Sequence, residues 1–455
     1  MGSTPRDLLA AKEIVVACGP GGVGKTTTAA ALAATIAAGE GKKVLALTVD
    51  PARRLAEALG IRGIGNVAHR VPDQAFIEAG VHPTGQLWAA MLDTRQSWDS
   101  LIRRHAPDSD TADKIIANPL YQNIAGRFAQ GHEYIAMERL YELHEEGDYD
   151  LIVVDTPPTR NAIDFLDAPE RMADFFASRL LRWLTVPYRS RFAVAASKPF
   201  YQVADRILGS QLLQDLADFF ILFQTMHEGF VARAEAVSRL LRDARTTFMV
   251  VTTLEAVPAR EAETFAEMLK ARKLHLGLLV CNKVLPDFLC DDTVSTAAAT
   301  LRSRAPELAA DLVPRLGETD TVQVARVLEE VGKGFANFQL VARRERDLRS
   351  EMARSHDVTA TVPFFEDEIT DMAGVLRVGA QVLGEAGPSP VATPSASGAS
   401  AAKTTRTAGT ASGAAGAART NKNTEKSPDK KGGQGDGYRR SGNRRVRGAA
   451  HDGRD

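Results

Sequence analysis

Residues 14–28 read IVVACGPGGVGKTTT, and no other stretch limits the possible folds of this chain so strongly. Ile14–Cys18 is a short, wholly apolar run, the pattern of a parallel strand buried on both faces. Gly19-Pro20-Gly21-Gly22-Val23-Gly24-Lys25-Thr26 fits the P-loop pattern G-x-x-x-x-G-K-[ST] at every fixed position, and the Ala-rich run after it predicts a helix opening on the loop. The order has a chemical reason. Glycines let backbone N–H groups converge on phosphate oxygens, and the helix N-terminus adds positive potential. In that arrangement Gly19, Gly21, Gly22, Val23, Gly24, Lys25, Thr26 and Thr27 form a nucleotide cradle. Lys25 reaches the β- and γ-phosphates, and the Thr26 hydroxyl is a ligand for Mg²⁺. A nucleoside triphosphate is the ligand this pattern predicts.

Strand-like runs recur at Val44–Val49, Leu87–Leu92, Leu151–Val154, Phe248–Thr252, Leu276–Cys281 and Val358–Val362, with helical patterns between them. That alternation predicts an α/β fold, a mostly parallel sheet flanked by helices. Ligands of such sheets sit beyond the carboxyl ends of the strands, where the P-loop also lies. The gap from Val154 to Phe248 reads instead as an inserted helical subdomain, about residues 169–243. It holds eleven of the 28 aromatic residues of the chain, from Phe175 to Phe230. Either they pack into that subdomain or some line a groove for an apolar partner such as a membrane-protein helix; periodicity does not separate the two. Asp320 to about Arg354 predicts one long helix, whose charged run RRERDLRSEMAR reads as a solvated face.

Composition changes near residue 387. Residues 1–386 read as one folded ATPase-like domain, and 387–455 as an Ala/Gly/Ser-rich tail predicted to be disordered. That tail carries thirteen basic and five acidic residues, whereas the whole chain has net charge −1, so the body is acidic. Such a tail supports weak polyanion contacts, not stable nucleic-acid binding. Cys18, Cys281 and Cys290 form no C-x-x-C pair, and no run approaches a signal peptide or membrane span, so a cytoplasmic setting is expected.

Two further stretches narrow the chemistry. Asp50, after the second strand in Thr48-Val49-Asp50-Pro51-Ala52, is placed to orient and deprotonate an attacking water; followed by proline, it also suits a helix N-cap. Asp155 closes the apolar run Leu151–Val154 in a Walker-B pattern, holding Mg²⁺ through water, and Thr156–Arg160 follows as a switch loop.

With Pro20–Thr26, Asp50–Ala52 and Asp155–Thr159 together, residues 13–384 resemble the ArsA family, which includes arsenical-pump-driving ATPases, ATPases that target tail-anchored membrane proteins, and a bacterial branch of anion-transporting ATPases. The resemblance implies ATP as nucleotide, Mg²⁺ as cofactor, Asn282 as reader of the adenine edge, and a homodimer or heterodimer closing around ATP. It implies coupling of ATP turnover to a transport or targeting partner, with an ATP-gated binding module for apolar helices as the alternative. A positioning ATPase of the ParA or MinD kind fits less well, because those proteins lack a large helical insert. Pro20 stands where the family has its signature lysine, and Arg160 and Asn161 replace the switch II glycine and histidine. The zinc-bridging and arsenite-binding cysteine sets are not recognisable.

Overall fold

The computed structural model describes residues 4–49, 65–124, 131–157, 225–317 and 320–385, with isolated positions at 59, 166, 167, 171, 174, 219, 221 and 222. Eight strands, β1 Ile14–Cys18, β2 Lys43–Thr48, β3 His69–Arg70, β4 Gln86–Met91, β5 Leu151–Asp155, β6 Thr246–Thr252, β7 Leu276–Val284 and β8 Thr359–Pro363, form one sheet. Its order is β3-β4-β2-β5-β1-β6-β7-β8. Every pairing is parallel except β3 with β4. The seven strands expected from apolar runs are all present, within a few residues of their expected ends. β3 was not expected: two exposed residues carry no periodicity to read.

The described helices are α1 Pro5–Ala10, α2 Lys25–Gly39, α3 Asp73–Glu78, α4 Thr94–His105, α5 Ser109–Ala117, α6 Pro119–Ile124 and α7 Gly131–Glu146. After β5 come α8 His227–Arg242, α9 Ala256–Ala271, α10 Asp292–Ser303, α11 Ala305–Leu316, α12 Thr321–Ser355 and α13 Met372–Leu383. Alternate residues of β1 serve two separate cores, as the pleat requires. Ile14, Val16 and Cys18 join the layer containing Leu101, Tyr134, Phe230 and Phe265. Val15 and Ala17 join the layer containing Leu32, Ile36, Val375 and Leu383. Each fully buried aliphatic side chain stabilises the fold by about 1.5–3 kcal/mol.

Helix α2 is buried on nearly every side, because seven alanines let both the sheet and α13 come close. At the contact, Gly379 of α13 lies so near Thr35 and Ala31 that a methyl group there would fall 2.0 Å from Thr35 Oγ1. This packing holds the helix that carries Lys25 and Thr26 rigidly against the sheet.

On the opposite layer, α4, α7 and α8 enclose a polar cluster. Arg233 donates to Glu138 at 2.7 Å and to Glu145 at 2.6 Å, and its guanidinium covers the Tyr141 ring at 4.1 Å. His105 stacks near Phe230, 5.5 Å between ring centroids, and its Nε2 has no hydrogen-bond partner among the described residues. Burial, then Arg233 and Arg104, hold the His105 pKa below its ordinary value of 6.5. As pH falls through 6.5 the unfolded chain takes up this proton first, so stability is lost from there down to the lower folded value. Urea unfolding between about pH 7.5 and about pH 5.5 is therefore expected to shift to lower midpoints, and His105→Gln to flatten that dependence. An equally steep loss in the variant would remove His105 as its source.

Of the eleven clustered aromatics, Phe219 and Phe230 lie among the described residues, and both are buried in the core. The remaining nine, most of the expected insert before residue 225, the switch loop from Pro158 to Arg160 and the segment 387–455 fall outside the described residues. The long helix expected from Asp320 is α12, with Asp320 as its N-cap accepting from Val322 N–H at 2.9 Å. Cys18 and Cys281 are buried on the sheet, and burial pushes their thiols up to about 12 and about 11. No described helix is long and apolar enough to cross a membrane.

Candidate nucleotide-binding site

β1 lies between β5 and β6, so its C-terminal end opens beside the ends of both neighbours. The chain leaves β1 at Cys18, turns through Gly19–Gly24 and enters α2 at Lys25. Two of these positions admit only glycine. Gly19 has φ +149°, and a Cβ there would stand 2.0 Å from the Val251 carbonyl oxygen of β6. Gly24, the N-cap of α2, has φ +91°, and a Cβ there would meet Asn282 Nδ2 at 2.4 Å. Gly21 and Gly22 are exposed at the loop tip, whereas Val23 turns inward and is buried. Thr28 closes the first turn of α2, its hydroxyl donating to the Gly24 carbonyl at 2.9 Å.

Lys25 is buried, and its Nζ donates to the Pro20 carbonyl at 2.9 Å. The ammonium is thus folded over the loop it belongs to, within the ring of backbone that a phosphate would enter. Thr26 Oγ1 donates to Asp155 Oδ2 at 2.6 Å, and Thr48 Oγ1 donates to the same oxygen at 3.2 Å. Parallel register sets this up: Asp155 of β5 lies across from Ala17 of β1 on one side and Thr48 of β2 on the other. Thr156 fixes the next step of the chain, its hydroxyl donating to the Ala17 carbonyl at 2.8 Å. A carboxylate and a hydroxyl in contact are hard oxygen donors of the kind Mg²⁺ takes when water and phosphate complete its shell, so the residues present fit that ion.

Asn282 comes to the loop from β7. Its Nδ2 donates to the Val23 carbonyl at 2.7 Å, and its Oδ1 accepts from the Lys283 N–H at 2.9 Å. The side chain thereby braces the cradle. Lys283 takes φ +58°, and its Nζ reaches the Gly22 carbonyl at 3.4 Å. A cation therefore stands at the loop rim although Pro20 contributes none.

The structure brings together Gly19–Thr27, Asp155 and Asn282 of the expected set. Asp50, with Pro51, Ala52 and Arg53, lies outside the described residues. Sequence reasoning passed over Thr48 and Lys283. The signal for the first was its place at the carboxyl end of β2; for Lys283 it was adjacency to Asn282.

A family model for the anion-transporting ATPases matches residues 12–305, from the start of β1 to the start of α11. The chain belongs to this family, that of the ArsA ATPases. Two similar proteins are named ATPases and a third is uncharacterized. The chain is 27% identical over 269 residues to the ATPase GET3 of Malassezia globosa, covering 59% of this chain and 71% of that protein. It is 28% identical over 285 residues to ATPase ASNA1 homolog 2 of Paramecium tetraurelia, covering 60% and 76%. It is 30% identical over 270 residues to the uncharacterized protein SCO2128 of Streptomyces coelicolor, covering 59% of this chain and 62% of that one. The parallel sheet with its P-loop after β1 is the ArsA-type P-loop NTPase fold, and the chain is an ATPase of that family.

Proposed function

We propose that this chain is a Mg²⁺-dependent switch that binds and hydrolyses ATP, working as a homodimer or heterodimer and coupling turnover to a transport or targeting partner in the cytoplasm. The observation that carries the reading is the Thr26–Asp155 contact of 2.6 Å, with Lys25 next in the chain, which joins the two halves of a phosphate-and-metal site across the adjacent strands β1 and β5. The family match and the names of the relatives support the ATPase activity; dimerisation, metal and coupling are this reading's own extension. The domain division, 1–386 with a helical insert and a tail from 387, is part of the same proposal.

In this reading the cradle amides of Gly21–Thr26 face the phosphates. Lys25 leaves the Pro20 carbonyl for the β- and γ-oxygens, exchanging a neutral acceptor for a charged one. Thr26 and Asp155 are the residues that would hold Mg²⁺, and the ion would supply neutralisation of the charge that develops on the phosphates. Asp50 positions and deprotonates the attacking water. Asn282, already fixed against Val23, aligns the loop and offers its remaining N–H to the adenine edge.

The test separates binding from chemistry. Asp50→Asn is expected to keep MgATP affinity within about twofold and to lose turnover by roughly 10²–10⁴-fold. Undiminished phosphate release by this variant would remove Asp50 from the mechanism.

A further inference from the structure

Lys283, near the end of β7, has φ +58°, a left-handed conformation that is unfavourable for any residue with a Cβ. The pairing of β7 with β8 slips at the same place, between Cys281 and Val284. Such a corner persists only where its surroundings over-determine it. On one side the P-loop does so. Asn282 Nδ2 donates to the Val23 carbonyl at 2.7 Å, and Lys283 Nζ reaches the Gly22 carbonyl at 3.4 Å. On the other side Phe364 N–H donates to the Val284 carbonyl at 2.9 Å, and Leu285 N–H donates to Glu345 Oε2 at 3.0 Å.

Glu345 belongs to α12, which lies beyond residue 305, where the family match ends. Met352 of the same helix is buried in the core, whereas Glu345, two turns earlier, stands at Leu285, just past the carboxyl end of β7. Gln339 lies further out and donates to the Leu289 carbonyl at 3.0 Å, while Arg349 pairs with Asp287 at 2.9 Å. Helix α12 thus grips the segment after β7 at three points, and they are unequal. The Asp287 side chain is 73% exposed, so its ion pair contributes little. Gln339 acts at the far end of the segment. Glu345 takes the first amide past the strand, which is also the last before Pro286, a residue with no N–H to offer. The Glu345 carboxylate is half-buried; burial raises its pKa, and the Leu285 N–H draws it down.

We propose that Glu345 is a positioning residue for the nucleotide site: by holding the Leu285 amide it fixes the Asn282–Lys283 corner, and through that corner the Gly22 and Val23 carbonyls of the P-loop. The inference rests on the MgATP reading and adds to it a residue outside the family match. The contacts are continuous, from α12 to Leu285, along the chain to Lys283 and Asn282, and from those side chains to the cradle. Glu345 acts through the corner and not on the phosphates, so its effect falls on KM and leaves kcat unchanged. Linkage is reciprocal: MgATP that orders the corner also tightens the hold of Glu345 on Leu285.

Glu345→Gln and Glu345→Met separate the acceptor from the bulk, because both keep the length of the side chain and only glutamine keeps an oxygen for Leu285. Titration of MgATP into the full chain is expected to give Glu345→Met an affinity about three- to tenfold below the parent, and Glu345→Gln one within about twofold of it. Turnover should show the same loss for Glu345→Met in KM with kcat unchanged, whereas a merely destabilised protein loses kcat. In an Asn282→Ala background Glu345→Met should cost less than about twofold, since the corner no longer holds the loop. In the parent, saturating MgATP should slow hydrogen exchange across residues 283–289, a readout that needs no variant to fold. Equal affinity of Glu345→Met and parent overturns the proposal. So does a Glu345→Gln as weak as Glu345→Met, a full loss repeated in the Asn282→Ala background, or exchange in the parent that MgATP does not change. A folded parent that binds no MgATP overturns the site reading itself, and this inference with it.

Discussion

Lys25→Ala is expected to lower MgATP affinity roughly 10–150-fold, the loss of about 1.5–3 kcal/mol of charged hydrogen bonding. Turnover should fall by about 10²–10³-fold beyond the binding defect, because the ammonium also meets charge that develops during transfer. The fold should survive. Helix α2 is held by its alanine faces and by Leu32 and Ile36. Equilibrium binding of a fluorescent ATP analogue, with phosphate release at saturating ATP, separates the two losses. Equal affinity in variant and parent would remove Lys25 from the phosphate site.

Gly19→Ala should act through the backbone instead. The residue has φ +149°, a conformation L side chains rarely adopt, and the added methyl would overlap the Val251 carbonyl oxygen at 2.0 Å. That oxygen belongs to the centre of the sheet and has nowhere to move. Destabilisation of about 3 kcal/mol or more is expected, with nucleotide binding lost along with it. Gly22→Ala is the matching control, since a Cβ there meets nothing within 4 Å and only the strain of φ +79° remains, about 1–2 kcal/mol. The diagnostic is the difference between the two in thermal or urea unfolding. If Gly22→Ala proved the more damaging, the close packing of the loop against β6 would not be what Gly19 provides.

The sheet was legible because buried parallel strands are unbroken apolar runs, and Ile14–Cys18, Leu151–Asp155 and Thr246–Thr252 each bury every residue. The cradle was legible because loop chemistry and spacing coincide within eight residues. What binds those parts to one another was not. Asn282 reaches Val23 across 259 positions, and Thr48 reaches Asp155 across 107. Such contacts come from strand order, which places β7 and β2 on opposite sides of β1, and no local pattern encodes that order. The Ala-rich run predicted a helix but not its burial on both sides, since alanine suits a solvated helix and a closely packed one alike. The long helix from Asp320 was legible as a helix; its hold on Leu285, across 60 positions, needed coordinates.

The central claim is that Gly19–Thr26 and Asp155 form one site for MgATP. Isothermal titration of MgATP into folded, nucleotide-free protein tests it most directly. A single saturable heat whose affinity falls when Mg²⁺ is withheld, and falls roughly 10–150-fold in Lys25→Ala, is the predicted result. A flat trace from protein with a cooperative unfolding transition would contradict the account.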